Sequence, residues 1–263
     1  MISRENKETF TLTEQLHHSI VSGEMLSYWK YQNVKNSSFY PSLHYAISMH
    51  DYGWQNFDKQ PFWNDQTQQP YSFIDFPMMA KLVLYQHGVD QIEQENPYAA
   101  LLCSRHYQNF FVGEKAAPAK QFVQHEEERQ IRIKKEFPDF DEAQFLYHFG
   151  LLNLLDGISL FAAITEFEAG QKNSHPFFKD GLEIPDVLGL TNKHLTLVWL
   201  NEHTVEVDPF PFEESFSCTF KQKELSKETI AQNGFLETYE RQQYKNLTVQ
   251  IVPSRAKKKT TLN

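Results

Sequence analysis

The segment LHYAISMHDYGW, residues 43–54, ends an otherwise apolar run with a histidine and an aspartate side by side. Leu43, Ala46, Ile47 and His50 recur at the i, i+3, i+4, i+7 spacing of one helix face, and Asp51 follows Ile47 by four residues. The spacing predicts a helix that turns both polar groups inward. A carboxylate in a packed interior costs several kcal/mol unless it is paired, protonated or bound to a cation. The run LLNLLDGISLF, residues 151–161, poses the same problem: Phe149, Leu152, Asp156 and Ser159 share a face, so Asp156 also points inward. Ligand-type residues converging from two segments on one interior point to a metal site.

Outward from these runs, apolar positions recur at three and four residues from about Leu12 to Gly170. Helices are expected at about 13–30, 40–52, 74–88, 97–112, 117–135 and 141–170. Gly53 is read as a left-handed stop, Pro97 as a first-turn proline, and Asp141 as a cap. After about Leu190 the period becomes two, in HLTLVWL, HTVEVDPFPF, SFSCTF and LTVQIV. Ser226 caps an expected helix running toward Tyr244. The fold class that follows is mainly α: a helical bundle over 1–185 holding the metal site, a small α+β appendage with an antiparallel sheet over 186–255, and a basic, disordered tail over 256–263.

Composition narrows the function. The chain has 263 residues, enough to bury a full core, and aromatics make up 14% of it. A net charge of −9 argues against nucleic acid as a partner, because phosphate affinity needs a basic surface. The opening MISRENKETFTLTEQ lacks the apolar core of a signal peptide, and no membrane span is expected, so the reading is cytoplasmic. Cys103 and Cys218 form no CxxC pair, which leaves thiolate zinc sites and disulfide frameworks without support. No phosphate-cradling glycine loop and no serine-hydrolase elbow is present.

Two further helices supply candidates. Ala99, Leu102, Cys103, His106 and Phe110 form a stripe that turns His106 toward the core, with Arg105 beside it. His17 and His18 are adjacent on the first helix, and periodicity does not choose between them. His148 reads as a core histidine, and HEEERQIRIKKEF, residues 125–137, as a solvated charged face. The stretch 54–77, with three prolines and seven aromatics, is expected to be a packed loop walling the site.

A His on an early helix, an adjacent His-Asp on the next and a distant Asp resembles the H…HD…D signature of the HD-domain superfamily, which covers about residues 12–170. More closely, QLHHSIVSGEM, AISMHDYGW, LLCSRHY, LLDGISLF and DPFPF are similar to a bacterial family catalogued as a domain of unknown function. That resemblance favours His18 over His17. The superfamily resemblance implies an HD-like bundle in which His18, His50, Asp51 and Asp156 hold a divalent Mn, Fe, Zn, Co or Ni ion. The expected activity is phosphohydrolysis of a small molecule by metal-activated water. His106 would protonate the leaving group or bind a second ion, and Arg105 would contact phosphate. Two alternatives are a di-iron oxygenase and a non-catalytic metal- or ligand-binding protein, and a homo-oligomer is open. The run HDYGWQNF departs from many hydrolytic HD domains in lacking a basic residue after the pair, and Lys59 reads as a solvated loop lysine.

Overall fold

The computed structural model describes residues 1–167 and 175–254. It opens with a hairpin, β1 (Ile2–Glu5) and β2 (Thr9–Thr13), followed by α1 (Gln15–Leu26), α2 (Gln32–Lys35) and α3 (Tyr40–Met49). A 3-10 turn at Tyr52–Trp54 leads into α4 (Gln55–Lys59) and the short hairpin β3 (Trp63–Asn64) and β4 (Gln69–Pro70). Four long helices come next: α5 (Met78–Glu95), α6 (Pro97–Asn109), α7 (Ala117–Lys134) and α8 (Glu142–Ile164). The chain closes through β5 (Leu182–Glu183), β6 (His194–Asn201), β7 (Thr204–Asp208), β8 (Phe216–Ser226), α9 (Lys227–Asn233), α10 (Phe235–Arg241) and β9 (Lys245–Pro253).

The expectation of a mainly α, all-helical HD-like bundle with a small C-terminal sheet is overturned. Helices account for 51% and strands for 20%, and a curled seven-stranded mixed sheet runs in the order β1-β2-β8-β9-β7-β6-β5. Its pairs are antiparallel except β7 with β9. The sheet draws strands from both ends of the chain, so it cuts across the division expected at 185/186. Two signals were masked. TFTLT alternates β-branched and apolar residues, burying Phe10 and Leu12, but sits in a charged N-terminal stretch. β8 continues past SFSCTF through polar KQKELS, where Gln222 and Lys223, on opposite faces of the strand, are both buried.

Helix starts follow the expected chemistry. Asn96 accepts from the Ala99 amide at 2.9 Å ahead of Pro97, and Asp141 accepts from Ala143 and Gln144 at 2.8 and 3.1 Å. The single helix expected after Ser226 is broken into α9 and α10 at Gly234, whose φ of +82° is a conformation few side chains adopt. Gly53 is not a left-handed stop. It lies where the turn after α3 meets α5, and an added Cβ would come 2.1 Å from the Leu84 carbonyl oxygen, with Gly88 facing it across the contact. The glycine is there for close approach.

α1 packs against α3 and α8 on one side and against β8 on the other, so it lies between the sheet and the remaining helices. By length and composition α8 could cross a membrane, but 67% of its apolar window is buried inside the protein, where it touches α1, α3 and α6. The stretch 54–77 packs rather than dangling. Trp54 is fully buried against Phe57, Phe76 and Tyr85, and Trp63 meets Phe10 and Phe235, tying the N-terminal hairpin to α10. The Met1 amino group lies beside this stretch, 2.8 Å from the buried Asp58 carboxylate. The basic tail lies outside the described residues.

Candidate metal centre

Four helices deliver five side chains to one point. His18 comes from the second turn of α1, His50 and Asp51 from the end of α3, His106 from α6 and Asp156 from the middle of α8. His18 Nε2 lies 3.1 Å from Asp156 Oδ1 and 3.4 Å from Asp51 Oδ2. His50 Nε2 lies 3.3 Å from Asp156 Oδ1 and 3.6 Å from Asp51 Oδ2, and His106 Nε2 is 3.8 Å from Asp156 Oδ2. Two overlapping groups, His18–His50–Asp51 and His50–His106–Asp156, each bring their ligand atoms within 4.8 Å of one another.

The outer nitrogens of the three imidazoles fix which inner ones are free. His50 Nδ1 is 2.7 Å from the Ile47 carbonyl oxygen, which can only accept, so Nδ1 carries the proton. The Ser159 hydroxyl donates to the His18 carbonyl at 2.9 Å and therefore accepts from His18 Nδ1, also at 2.9 Å. With the Asn153 amide oxygen placed 2.9 Å from His106 Nδ1, that ring also donates outward. All three Nε2 atoms thus converge on two carboxylates, the arrangement in which outer partners orient metal-binding imidazoles. His50 Nε2 is buried and, though 3.3 Å from Asp156 Oδ1, makes no directed hydrogen bond. A buried, unpartnered imidazole nitrogen beside two acids fits a metal ligand.

The electrostatics ask for positive charge at the same place. Burial alone would lower the His18 pKa, but Asp156 and Asp51 outweigh it and hold the imidazole up at about 9. Against the upward push of burial, His50 and His18 keep the Asp156 carboxyl well below its usual range, and Asp51 is lowered in the same way. Burial dominates at His106 and lowers it, keeping that ring neutral. The described lining contains no guanidinium, so the carboxylates depend on imidazoles or a bound cation for compensation.

Tyr107 braces the floor. Its hydroxyl donates to the His50 carbonyl and lies 3.3 Å from Asp51 Oδ1, while its ring stacks on Tyr85 at 4.0 Å. Above the cluster opens a cavity of about 660 Å³, walled mainly by α5, α6, α8 and the segment around Phe177. Only the end of the 54–77 stretch, at Phe73 and Ile74, reaches it.

The other sequence candidates lie elsewhere. His17 is half-buried on the side of α1 that faces Lys221, so the fold settles the ambiguity in favour of His18. Arg105, expected to contact phosphate, is not on the cavity: its guanidinium donates to Gln108 at 2.9 Å and lies over the Phe149 ring. One helical residue before His106 means a turn of 100° away from the cluster. His148 Nδ1 is hydrogen-bonded with the Tyr98 hydroxyl at 2.8 Å as a satisfied core group, and Lys59 is exposed. Sequence reasoning missed Lys81, the one lysine or arginine among the described lining residues, and the polar wall residues Gln15, Tyr85 and Asn153. Spacing from the cluster could have found Asn153, three residues before Asp156 on the same helix face.

Residues 1–227 match the family model described as Protein of unknown function (DUF3891). The chain belongs to this family. The DUF3891 match takes in all five cluster residues and β8, and ends as α9 begins. No curated protein and no solved structure matches the chain.

Proposed function

We propose that the protein is a metal-dependent hydrolase that cleaves a phosphate ester of a small molecule. The carrying observation is the convergence of three Nε2 atoms on two carboxylates, with every Nδ1 turned outward. The order of ligands along the chain, His18, then His50-Asp51, then Asp156, supports an HD-like centre. In this reading His18, His50, Asp51 and Asp156 hold the ion. Nitrogen and carboxylate donors of this kind suit Mn, Fe, Zn, Co or Ni without selecting one. When bound, such an ion acidifies water toward neutral pKa and polarises a phosphoryl oxygen. The chain's own work is to keep the three imidazoles in one tautomer, hold both acids ionised, and brace Asp51 through Tyr107. In the net reaction the water oxygen joins phosphorus, the bond to the alcohol breaks, and one water proton leaves on that alcohol.

The neutral His106, in its own group with His50 and Asp156, favours a second reading with two ions, including a di-iron oxygenase. Elemental analysis of protein purified without chelators, paired with a phosphate-ester panel, decides between them. The hydrolase predicts bound divalent metal and turnover, with both lost in Asp51→Ala and Asp156→Ala. Metal content unchanged in Asp51→Ala would discard the ligand set. Two irons with a visible absorption band and no ester turnover would select the second reading.

A further inference from the structure

Two polar groups on the cavity wall have no role in holding an ion. Gln15, the first residue of α1, is 4% exposed, and its Oε1 is buried without a hydrogen-bond partner. Tyr85, midway along α5, lines the same cavity, and its hydroxyl makes no hydrogen bond among the described residues. Buried amides are nearly always hydrogen-bonded, so the unpaired Gln15 oxygen beside the cavity, with the Tyr85 hydroxyl free on the same wall, marks a place where a ligand can supply a partner. The Asn153 amide adds a third neutral group, since His106 occupies only its oxygen.

Charge on the wall is sparse. Lys81 is the one lysine or arginine among the described lining residues, and its ammonium donates to the Ile74 carbonyl at 3.0 Å with the Asp75 carboxylate acting on it. Two ligand carboxylates cancel a divalent ion, so Lys81 is the one lysine or arginine charge left among the described lining residues, enough for a single negative charge on a substrate. The remaining wall is apolar: Phe73, Phe111, Leu160 and Phe178 line it, and at its edge Ile74, Phe110 and Phe177 stay 45%, 54% and 51% exposed. Exposed apolar side chains gathered at the mouth of a cavity are a binding feature rather than a packing one.

We propose that the substrate is an amphiphile, an ester whose head carries no more than one negative charge and meets Gln15 and Tyr85, and whose aromatic or hydrocarbon body lies along the apolar wall. This rests on the hydrolase reading for the word ester, but the binding preference is separable from turnover. The test uses the metal-loaded protein and three probes: methyl 1-naphthyl phosphate, a monoanion; 1-naphthyl phosphate, a dianion at pH 8; and dimethyl phosphate, which keeps the head and lacks the ring. A bound ion by itself favours the dianion, so the opposite preference must come from the chain. The expected result is that the naphthyl monoanion binds tightest in calorimetry and dimethyl phosphate weakest. Tyr85→Phe and Gln15→Leu should each loosen the naphthyl monoanion about tenfold, the worth of one good hydrogen bond, with metal content and melting temperature unchanged. Tighter binding of the dianion, or wild-type affinity in both variants, would overturn the proposal. Preferential binding without turnover of any ester would leave this wall as a binding site and remove the hydrolase reading.

Discussion

Two clusters of buried charge lie in the helical part of the molecule, and they solve the same problem in opposite ways. Around α7, Glu126 is fully buried and Arg129 nearly so, yet Arg129 reaches Asp90, Glu93 and Glu126, the last at 3.0 Å from its Nε. That 3.0 Å approach is ionic, since neither Glu126 oxygen makes a directed hydrogen bond. The guanidinium is an internal cation for the buried Glu126, while Glu93 also pairs with Arg132 and Asp90 is partly solvated. At the His/Asp cluster the internal partners among the described residues are three imidazoles and the neutral Tyr107 hydroxyl, with no guanidinium or ammonium on either acid. A buried acid is therefore not in itself a metal signal; the deciding fact is whether the chain supplies the cation.

The largest test of this contrast is Arg129→Leu. Leaving Glu126 buried without its partner should cost about 3–5 kcal/mol, read as a drop in unfolding free energy. Metal bound per folded chain should not change, and a loss of metal would show that the two clusters are one system. A middle-sized effect comes from His148, two turns before Asp156 on the same helix. Burial lowers its pKa to about 4, so the folded state keeps it neutral while the unfolded state protonates near 6.5. Its contribution is intact above 6.5 and is lost as pH falls through 4, on the order of 3 kcal/mol. His148→Gln, which can still hydrogen-bond with Tyr98, should flatten that part of an acid denaturation curve; an unchanged slope would place the titration elsewhere. The smallest effect belongs to Arg105→Ala. With its guanidinium on Gln108 and Phe149, stability should move by less than about 0.5 kcal/mol and ester turnover hardly at all. A large loss of turnover would restore the phosphate role that the sequence suggested.

The same contrast explains what was readable in the sequence. Asp51 and Asp156 stood out because they interrupt apolar runs, where period and burial agree. Glu126 and Arg129 did not, because HEEERQIRIKKEF is charged all round and its inward stripe of Glu126, Arg129, Gln130 and Ile133 is mostly polar. Periodicity finds a buried face only through hydrophobic contrast. His18 needed the family resemblance, since two stripes competed on α1. Gly53 was legible as important and misread in kind: a glycine at the end of a helix suggests a turn, and only the position of α5 shows that it is a contact. The sheet was half seen. Its C-terminal strands alternate cleanly, whereas β1 and β2 are short and lie in a charged N-terminal stretch, and a partner more than two hundred residues away leaves no local mark.

That distant pairing sets an order of events. β2 hydrogen-bonds β8 from Thr9↔Ser226 to Thr13↔Gln222, and α1, starting two residues after β2, lies against β8. A chain emerging from the ribosome can form α3, α5, α6 and α8 while β2 still waits for its neighbour, and contacts of such long separation form slowly. His18 rides on the helix that follows β2 and packs against α3 and α8 as well as β8, so a strand that contributes no side chain to the cluster backs the helix that does.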